Sequence, residues 1–405
     1  MNTAVLVENS PNTQNEKTSP ALRELVALLT RSGKLPYSFI IHGEDGATMQ
    51  VGASEPAFEV TIKNKAGFEA CMSMHELVIA EAFMRGDIDL AGDLIKAIIN
   101  FQDLFDDRNI FLKTWRVAKP LILGREKCNP AWIAKHYDAD NLQLLGIEND
   151  YDTYTPGIYH SDDESMEVAA ERKLAFAYDS LQLKPQDKLL DVGSGWGGVL
   201  RFAAAREVNV TGITLSRKQF DYVQSLIETR NFTNAQVKYQ DFFTYSPPEK
   251  FDAISMMGVI EDLSDYQRVM AKLPTLLKPG GRVYLDFASE KESFATRSFI
   301  TKYVWPGTFR MVYMPGFIKA VNDSRFEIEG IYNDRHNYHL WAKKGYEKLL
   351  LNKEPFIAKS NEQLWRLFLV LYAGTSAAMI KPDYFCSAYR VVLKLPHNHQ
   401  AIEAA

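Results

Sequence analysis

The residues best suited to chemistry lie in a glycine-rich loop at 190–198, which reads Leu-Asp-Val-Gly-Ser-Gly-Trp-Gly-Gly. The apolar residues before the loop predict a buried strand over 188–192, and those after it predict a helix. Glycine tolerates positive φ and has no Cβ, so a ligand can lie directly against the backbone at Gly193 and Gly195. The pattern therefore predicts a cofactor loop with Asp191 at the mouth of its pocket.

Three of these glycines, Gly193, Gly195 and Gly198, also have the G-x-G-x-x-G spacing of dinucleotide-binding loops. A dinucleotide site expects an acid about 20 residues farther on, at the end of the second strand, where it binds the ribose. Here the predicted second strand, 208–213, is followed by Thr-Leu-Ser. The sequence therefore favours a ligand without phosphates, S-adenosylmethionine, whose ammonium group suits Asp191.

Composition excludes several classes of protein. A chain of 405 residues predicts roughly two to three domains, and 46% apolar with 12% aromatic residues can form large cores. A net charge of −5 argues against a nucleic-acid-binding protein. The three cysteines are far apart and form no C-x-x-C pair, so we expect neither a metal site nor a disulfide framework: Cys71, Cys128 and Cys386.

Targeting and membrane signals are weak. The polar N-terminus, 1–20, lacks the apolar core of a secretory signal and is expected to be a disordered tail. The longest apolar stretch, 367–380, is shorter than the ~20 residues that cross a bilayer, so we expect a soluble protein. A basic window at 113–127 predicts either a solvated linker or a contact with an anionic membrane.

The first part of the chain predicts a small α+β domain over 21–125. A helical segment is followed by alternating residues at 37–62, typical of half-buried strands, and then by helical periodicity over 74–100 that breaks at 86–89. A linker with cofactor-covering helices is expected over 126–180.

The second part, 181–395, alternates strands and helices and predicts a doubly wound, Rossmann-like α/β sheet. An aromatic-rich insertion at 289–354 interrupts this alternation and is expected to form a cap. The ligand of such a sheet lies at the carboxyl ends of its strands. The predicted strands are 188–192, 208–213, 235–239, 251–256, 282–287 and 388–395, and the predicted helices are 199–206, 217–230 and 264–273.

Several segments together resemble the cyclopropane-fatty-acid synthase family of S-adenosylmethionine-dependent methyltransferases. The loop alone is shared by many methyltransferases, and its combination with the segment at 81–89 is far more specific. The resemblance extends from about residue 40 to about residue 395. The segments that carry it are 190–198, 212–216 with Gln219, 278–281, 136–138 and 81–89.

The resemblance implies methyl transfer from S-adenosylmethionine to the cis double bond of a phospholipid acyl chain. Because an alkene is a poor nucleophile, the enzyme must align it and stabilise a carbocation before a base removes a proton and the ring closes. We therefore expect a phospholipid or other lipid-like acceptor, no nucleic-acid partner, and a cytoplasmic protein associated peripherally with the inner membrane surface. The sequence leaves the oligomeric state open, a homodimer included.

The resemblance also implies a set of cofactor-binding residues. The loop contributes glycines, a Thr and a Gln lie near the ribose and methionine portions, an Asp-Phe pair lies beside the adenine, and a Tyr-Thr pair closes the pocket. The set is Tyr154, Thr155, Asp191, Gly193, Gly195, Thr214, Gln219, Asp241 and Phe242.

The catalytic residues match the family less well. Members of the family bind a bicarbonate ion through a cysteine, a glutamate, a histidine and a tyrosine. In this sequence Glu261 matches the glutamate and Tyr338 matches the tyrosine. The cysteine position falls in 154–157, which has no thiol, and Asp286 stands at the histidine position. Two carboxylates facing one cavity would repel bicarbonate by roughly several kcal/mol unless one is protonated, so the ion is doubtful here.

Two hypotheses follow. In the first, Asp286 replaces bicarbonate as the base and the enzyme still forms a cyclopropane ring. In the second, the cation loses its proton elsewhere and the product carries a methyl or methylene branch, or the acceptor is not an alkene. A C- or N-methyltransferase for other lipids or small molecules, and a catalytically silent binding module, remain alternatives. Purely structural roles are also open: a helix-start acid for Glu261, a turn acid for Asp286 and a packed aromatic for Tyr338.

Overall fold

The computed structural model describes residues 19–31, 35–106, 155–263, 265–291, 299–304, 311–381 and 386–397. Most of the predicted tail, the basic window at 113–127, the segment at 136–138 and Tyr154 lie outside the described residues. The chain divides into two compact units, Met1–Gly124 with Gly345–Pro382, and Arg125–Lys344 with Asp383–Ala405.

The first unit contains a four-stranded sheet in the order β2-β1-β3-β4. β1 is parallel to β3, and the other neighbouring strands are antiparallel. Its core includes Phe39 and Phe58, which lie opposite each other in the β1–β3 pair and whose rings stack with centroids 5.1 Å apart. The strands are β1 (Phe39–His42), β2 (Thr48–Val51), β3 (Phe58–Ile62) and β4 (Ile88–Gly92), with helices at Pro20–Thr30, Lys65–Ser73, Glu76–Arg85 and Leu94–Asp106.

The predicted break at 86–89 is the start of a strand. Gly86 ends the preceding helix at φ +83°, a conformation that favours glycine, and β4 then pairs with β3. The burial of β4 falls from its first residue to its last and does not alternate.

The segment Gly345–Pro382 belongs to the first unit, so its predicted place in the C-terminal domain, 181–395, is wrong. In its helix Glu362–Ile380, the buried Arg366 guanidinium lies 3.0 Å from an Asp89 carboxylate oxygen and 2.9 Å from one of Glu362. Among the described residues, this is also the one helix whose length and composition would suit a membrane span, and half of that apolar window is buried in the structure.

The second unit contains an eight-stranded sheet in the order β11-β12-β9-β8-β5-β6-β7, with β10 paired to β9. Strands β5 to β9 are parallel where they pair, and β12 is antiparallel to both of its neighbours. The predicted Rossmann-like fold class is confirmed. The strands are β5 (Lys188–Val192), β6 (Asn209–Thr214), β7 (Ala235–Tyr239), β8 (Phe251–Met257), β9 (Leu277–Glu290), β10 (Val312–Tyr313), β11 (Glu327–Asn333) and β12 (Cys386–Lys394).

Helices cover both faces of this sheet. Leu190, Ile254 and Leu285 pack on one face with the helices Tyr266–Leu276 and Met314–Asn322. The opposite face packs on the helices Met166–Ser180, Gly198–Ala204 and Arg217–Thr229. By strand alternation, Asp191, Ser255, Tyr284 and Asp286 stand on this second face.

The insertion at 289–354 is more than a cap. It contributes β11, which forms the edge of the main sheet beside β12 and is interrupted by a register shift between Ile328 and Gly330. It also contains the helices Met314–Asn322 and Arg335–Leu351. β11 is largely exposed and lacks the continuous apolar run that indicates a buried strand, so no strand was predicted there.

A buried ion pair joins β12 to the residue after β11. Arg390 Nε lies 2.6 Å from Asp334 Oδ2, and Asn337 donates to Asp334 Oδ1 at 2.7 Å. Burial raises the pKa of Asp334 even though Arg390 opposes this shift, so desolvation outweighs the attraction between the two charges. The pair therefore adds little net stability, but loss of one partner leaves a buried charge uncompensated.

We expect Asp334→Ala to lower the free energy of unfolding by about 3–5 kcal/mol, because Arg390 is then buried without its counter-ion. The matched control is Asp221→Ala, which breaks the exposed Arg217–Asp221 pair and should cost about 0.2–1 kcal/mol. Chemical denaturation measures both values. Equal losses in the two variants would contradict the importance of burial.

Candidate active site

The glycine-rich loop is held against the end of β6. The backbone N–H groups of Gly193 and Ser194 both donate to the carbonyl of Ile213, at 2.9 and 3.1 Å. Gly193 and Gly195 have φ values of +69° and +50°, which L side chains rarely adopt. The sharp turn that these values produce leads directly into the helix Gly198–Ala204.

The two glycines have different neighbours. A Cβ on Gly193 would lie 2.5 Å from Val259 Cγ2, so packing excludes a side chain there. A Cβ on Gly195 would meet nothing closer than the Gly193 carbonyl oxygen at 3.9 Å. Gly195 therefore leaves bare backbone beside open space, as a site for a closely bound ligand requires.

Asp191 is buried at the carboxyl end of β5, and its Oδ2 has no hydrogen-bond partner among the described residues. Burial raises its pKa to about 7, Ser255 opposes the shift, and the charge of Asp286 adds to it. A cationic ligand group would stabilise this carboxylate, because an opposite charge favours the ionised form.

Thr214 and Gln219 meet at the end of β6, as the sequence analysis predicts for two residues of one site. Thr214 Oγ1 lies 2.9 Å from Gln219 Oε1 and also accepts from the N–H of Ser216 at 3.1 Å. Ser216 caps the helix Arg217–Thr229 by accepting from the Gln219 N–H. With its oxygen held, the Gln219 amide presents its nitrogen as the donor.

The pair at 241–242 has local structural roles. Asp241 Oδ1 accepts from the N–H groups of Phe243 and Thr244, at 2.8 and 3.1 Å, and so stabilises the turn after β7. Phe242 is buried in the core of the second unit. Their contact with an adenine ring stays a prediction.

Asp286 lies inside β9 and not in a turn. It is opposite Met257 of β8 and Arg390 of β12, and its carbonyl accepts from the Gly258 N–H at 3.0 Å. Its Oδ2 lies 3.4 Å from Thr155 Oγ1, whereas Oδ1 has no partner in the part of the chain that is described. Sheet geometry, and not a local turn, therefore fixes this carboxylate.

Lys173 is the residue that sequence reasoning missed. Its side chain is 1% exposed, and Nζ lies 3.3 Å from Asp286 Oδ2. It also donates to Thr155 Oγ1 and to the Thr155 carbonyl oxygen. A signal was present, because Lys173 falls at helical spacing among the buried residues of its helix: Met166, Ala169, Ala170, Leu174 and Ala177.

Glu261 lies in the short 3₁₀ helix Ile260–Asp262 after β8 and is buried. Its Oε1 accepts from the Ala288 N–H of β9 at 2.9 Å, and its Oε2 has no partner among the residues described. The cap of the next helix comes from Asp265 instead. Burial chiefly raises the pKa of Glu261 to about 8, with Asp262 and Asp286 acting in the same direction. Glu261 is therefore mostly protonated at neutral pH.

Two tyrosines compete for the predicted tyrosine role. Tyr338 is partly buried in the helix Arg335–Leu351 and packs edge-to-face on Trp341 at 5.5 Å, so its place in the site stays a prediction. Tyr284 is fully buried two residues before Asp286, and its hydroxyl has no partner among the described residues. The pKa of Tyr284 is raised well above its usual value, first by burial and then by Asp286.

Several buried polar atoms of the loop and the adjoining strand ends lack hydrogen-bond partners within the described ranges. Because buried polar atoms are nearly always paired, such a group indicates a place for a polar ligand or water. The atoms include Asp191 Oδ2, Ser194 Oγ, Trp196 Nε1, Glu261 Oε2, Tyr284 Oη and Asp286 Oδ1.

The doubly wound sheet and this cofactor loop are those of an S-adenosylmethionine-dependent methyltransferase, and S-adenosylmethionine is the cofactor. Residues 125–386 match the family of mycolic acid cyclopropane synthetases, and the protein belongs to that family. Residues 28–114 match a separate domain family of unknown function, DUF7884. The resemblance stated from the sequence is thereby confirmed.

Individual relatives are distant but cover most of the chain. A probable fatty acid methyltransferase of Mycobacterium tuberculosis is 26% identical over 86% of this chain and 90% of its own. The cyclopropane-fatty-acyl-phospholipid synthase of Escherichia coli is 26% identical over 80% of this chain and 84% of its own. The solved mycolic acid cyclopropane synthase CmaA1, in complex with SAH and CTAB, has a TM-score of 0.60 at 21% identity and covers 66% of this chain and 99% of its own.

We expect Gly195→Ala to weaken binding of S-adenosylhomocysteine roughly tenfold or more, a loss of about 1.4 kcal/mol or more, because the new Cβ enters the space beside the backbone. Positive φ should cost about 1–2 kcal/mol of stability. The matched control is Gly46→Ala, at φ +79° with no atom within 4 Å of its Cβ. Calorimetric titration should show unchanged affinity in the control. Equal affinity losses would contradict the assignment.

The raised pKa of Glu261 predicts that stability falls as pH rises. Between its ordinary pKa of 4.5 and about 8, the folded chain holds a proton that the unfolded chain has released, so stability is greatest below 4.5 and is lost through 8. One such carboxyl contributes a slope of at most about 1.4 kcal/mol per pH unit. Glu261→Gln should flatten the slope of unfolding free energy measured from pH 5 to 8. An unchanged slope would disprove the shift.

Proposed function

We propose that the protein transfers a methyl group from S-adenosylmethionine to the double bond of an unsaturated phospholipid acyl chain, and that a cyclopropane ring then closes. The observation that carries the proposal is the Asp286 carboxylate, which is buried, fixed by Lys173 and left with one unpaired oxygen among the described residues. Membership of the cyclopropane synthetase family and the similarity to a phospholipid synthase support the acceptor class.

Residues of the loop and of β6 would hold the donor. The bare backbone at Gly195 admits its close approach, Asp191 Oδ2 suits its ammonium group, and the Gln219 amide nitrogen can donate to its polar portions. When bound, S-adenosylmethionine supplies an electrophilic methyl group, and ring closure then requires removal of one proton from the added carbon.

Asp286 Oδ1 is the proposed acceptor of that proton. It has the free lone pairs of a carboxylate oxygen, and β8 and β12 fix its position from both sides. Glu261, which is neutral at neutral pH, would act beside it as a hydrogen-bond donor through Oε2. A buried site of this kind also excludes water, which would otherwise trap a carbocation.

The acceptor would be reached in a bilayer. A double bond within an acyl chain can be reached only where the enzyme contacts the lipid. We therefore propose that the protein associates peripherally with the inner membrane surface. If the protein acts at a membrane, unsaturated lipid in vesicles must be a substrate.

We expect label from methyl-labelled S-adenosylmethionine to enter phospholipid in unsaturated vesicles and not in saturated ones. The product should gain one methylene unit per double bond and resist mild catalytic hydrogenation, as a ring does. Mass spectrometry before and after hydrogenation measures both properties.

Three outcomes are informative. A mass gain in chains that still take up hydrogen would exclude the ring and indicate a methyl or methylene branch. Labelled amines without labelled lipid would indicate an N-methyltransferase. No methylated product from any acceptor, with normal donor binding, would contradict the enzymatic proposal and favour a silent binding module.

A further inference from the structure

We propose that the buried Lys173–Asp286 ion pair takes the place of a bound anion in this site, with Asp286 as the proton acceptor and Lys173 as its positioning residue. The inference rests on the proposed function for the chemical step. It goes further in stating that the base is part of the chain and that an added anion is unnecessary.

Lys173 makes three contacts with the protein. Nζ donates to the Thr155 hydroxyl and to the Thr155 carbonyl oxygen at 3.3 Å, and it forms an ion pair with Asp286 Oδ2 at 3.3 Å. Two of the three N–H donors of the ammonium group are therefore used by Thr155, and its positive charge is paired with Asp286. The single cation beside Asp286 on this helix is thus already committed to the protein's own carboxylate.

The atoms that remain unpaired around Asp286 do not suit an anion. Asp286 Oδ1 and Asp191 Oδ2 belong to carboxyl groups, which offer no N–H donor to an anion and repel it when they are ionised. The unpaired donors of the described residues include the neutral Glu261 and the hydroxyls of Tyr284 and Ser255, none of which carries positive charge. Bicarbonate would therefore enter a site without free positive charge in the part of the chain that is described.

Charges on every packed element support this account. The negative charge of Asp286 helps to raise the pKa of Asp191 on β5, of Glu261 after β8, of Tyr284 on β9 and of Asp334 after β11, in each case after burial as the largest cause. Opposite charges come from Lys173 and from Arg390, and Arg390 is itself paired with Asp334. Lys173 is the cation in direct contact with the Asp286 carboxylate.

The proton balance is complete without another reactant. The π electron pair of the double bond forms the first C–C bond as the S–CH3 bond breaks. The C–H electron pair of the added carbon forms the second C–C bond, and the proton goes to Asp286 Oδ1. The thioether S-adenosylhomocysteine is the leaving group, and Asp286 returns the proton to water after the product departs. Lys173 holds the Asp286 carboxylate in position through the ion pair at Oδ2.

The test compares Asp286→Ala with the double variant Lys173→Met/Asp286→Ala, in the full-length protein, with formate as the probe. Removal of the carboxylate leaves a small cavity and leaves Lys173 without its counter-ion. Formate can then occupy the position of the lost carboxylate and accept the proton. Without Lys173, formate has no counter-ion there. Titration with S-adenosylhomocysteine confirms that each variant retains a folded donor site.

We expect the turnover of Asp286→Ala to be at least a hundredfold lower than that of the wild type. Formate should raise the turnover of this variant at least tenfold. The double variant should not respond to formate. Wild-type turnover should be the same in bicarbonate-free buffer as with added bicarbonate. Dependence of the wild type on bicarbonate, full activity of Asp286→Ala, or formate rescue without Lys173 would each overturn the inference.

A second readout does not need the acceptor. Formate should raise the melting temperature of Asp286→Ala and leave the wild type and the double variant unchanged. If the wild type methylates no lipid, the proposed function fails, and this shift still decides whether the pair occupies the place of an anion. If the wild type is active and formate gives no shift, the inference fails alone. If Asp286→Ala does not fold, the comparison of wild-type turnover with and without bicarbonate decides the inference.

Discussion

The structure of the site depends on the cost of burying carboxylates at the carboxyl edge of a parallel sheet. Asp191, Glu261 and Asp286 lie on neighbouring elements, and three negative charges in one dry region would repel one another strongly. The chain resolves this in two ways. Glu261 holds a proton at neutral pH, and Lys173 compensates Asp286. What remains is the Asp286 carboxyl group, one oxygen of which is unpaired among the described residues, and the protonated Glu261, which can donate.

Backbone geometry then separates the donor from the base. The backbone of the glycine turn is hydrogen-bonded to Ile213 and is open at Gly195. Asp286 is two strands away in the order β5-β8-β9, so one element holds the donor loop and another holds the proton acceptor. A rigid parallel sheet fixes this separation more firmly than loops would, which matters because alignment supplies much of the rate for a weak nucleophile.

Much of this could be predicted from the sequence. The glycine loop, the Thr214 and Gln219 pair and the alternating strands follow from local patterns, since buried parallel strands are continuous apolar runs. The edge strand β11, the strand β4 and the allocation of Gly345–Pro382 could not, because they depend on pairing and burial between distant segments. Lys173 was missed for a related reason: a charged residue on an apolar helix face has meaning only once its partner, 113 positions farther along at Asp286, is known.

The most direct test of the central claim is a crystal structure with S-adenosylhomocysteine bound. We predict its ammonium group at Asp191 Oδ2, its backbone contacts at Gly195, and its sulfur on the side facing Asp286 Oδ1, with Lys173 still paired to Oδ2. Binding elsewhere, or an ion between Lys173 and Asp286, would contradict the account.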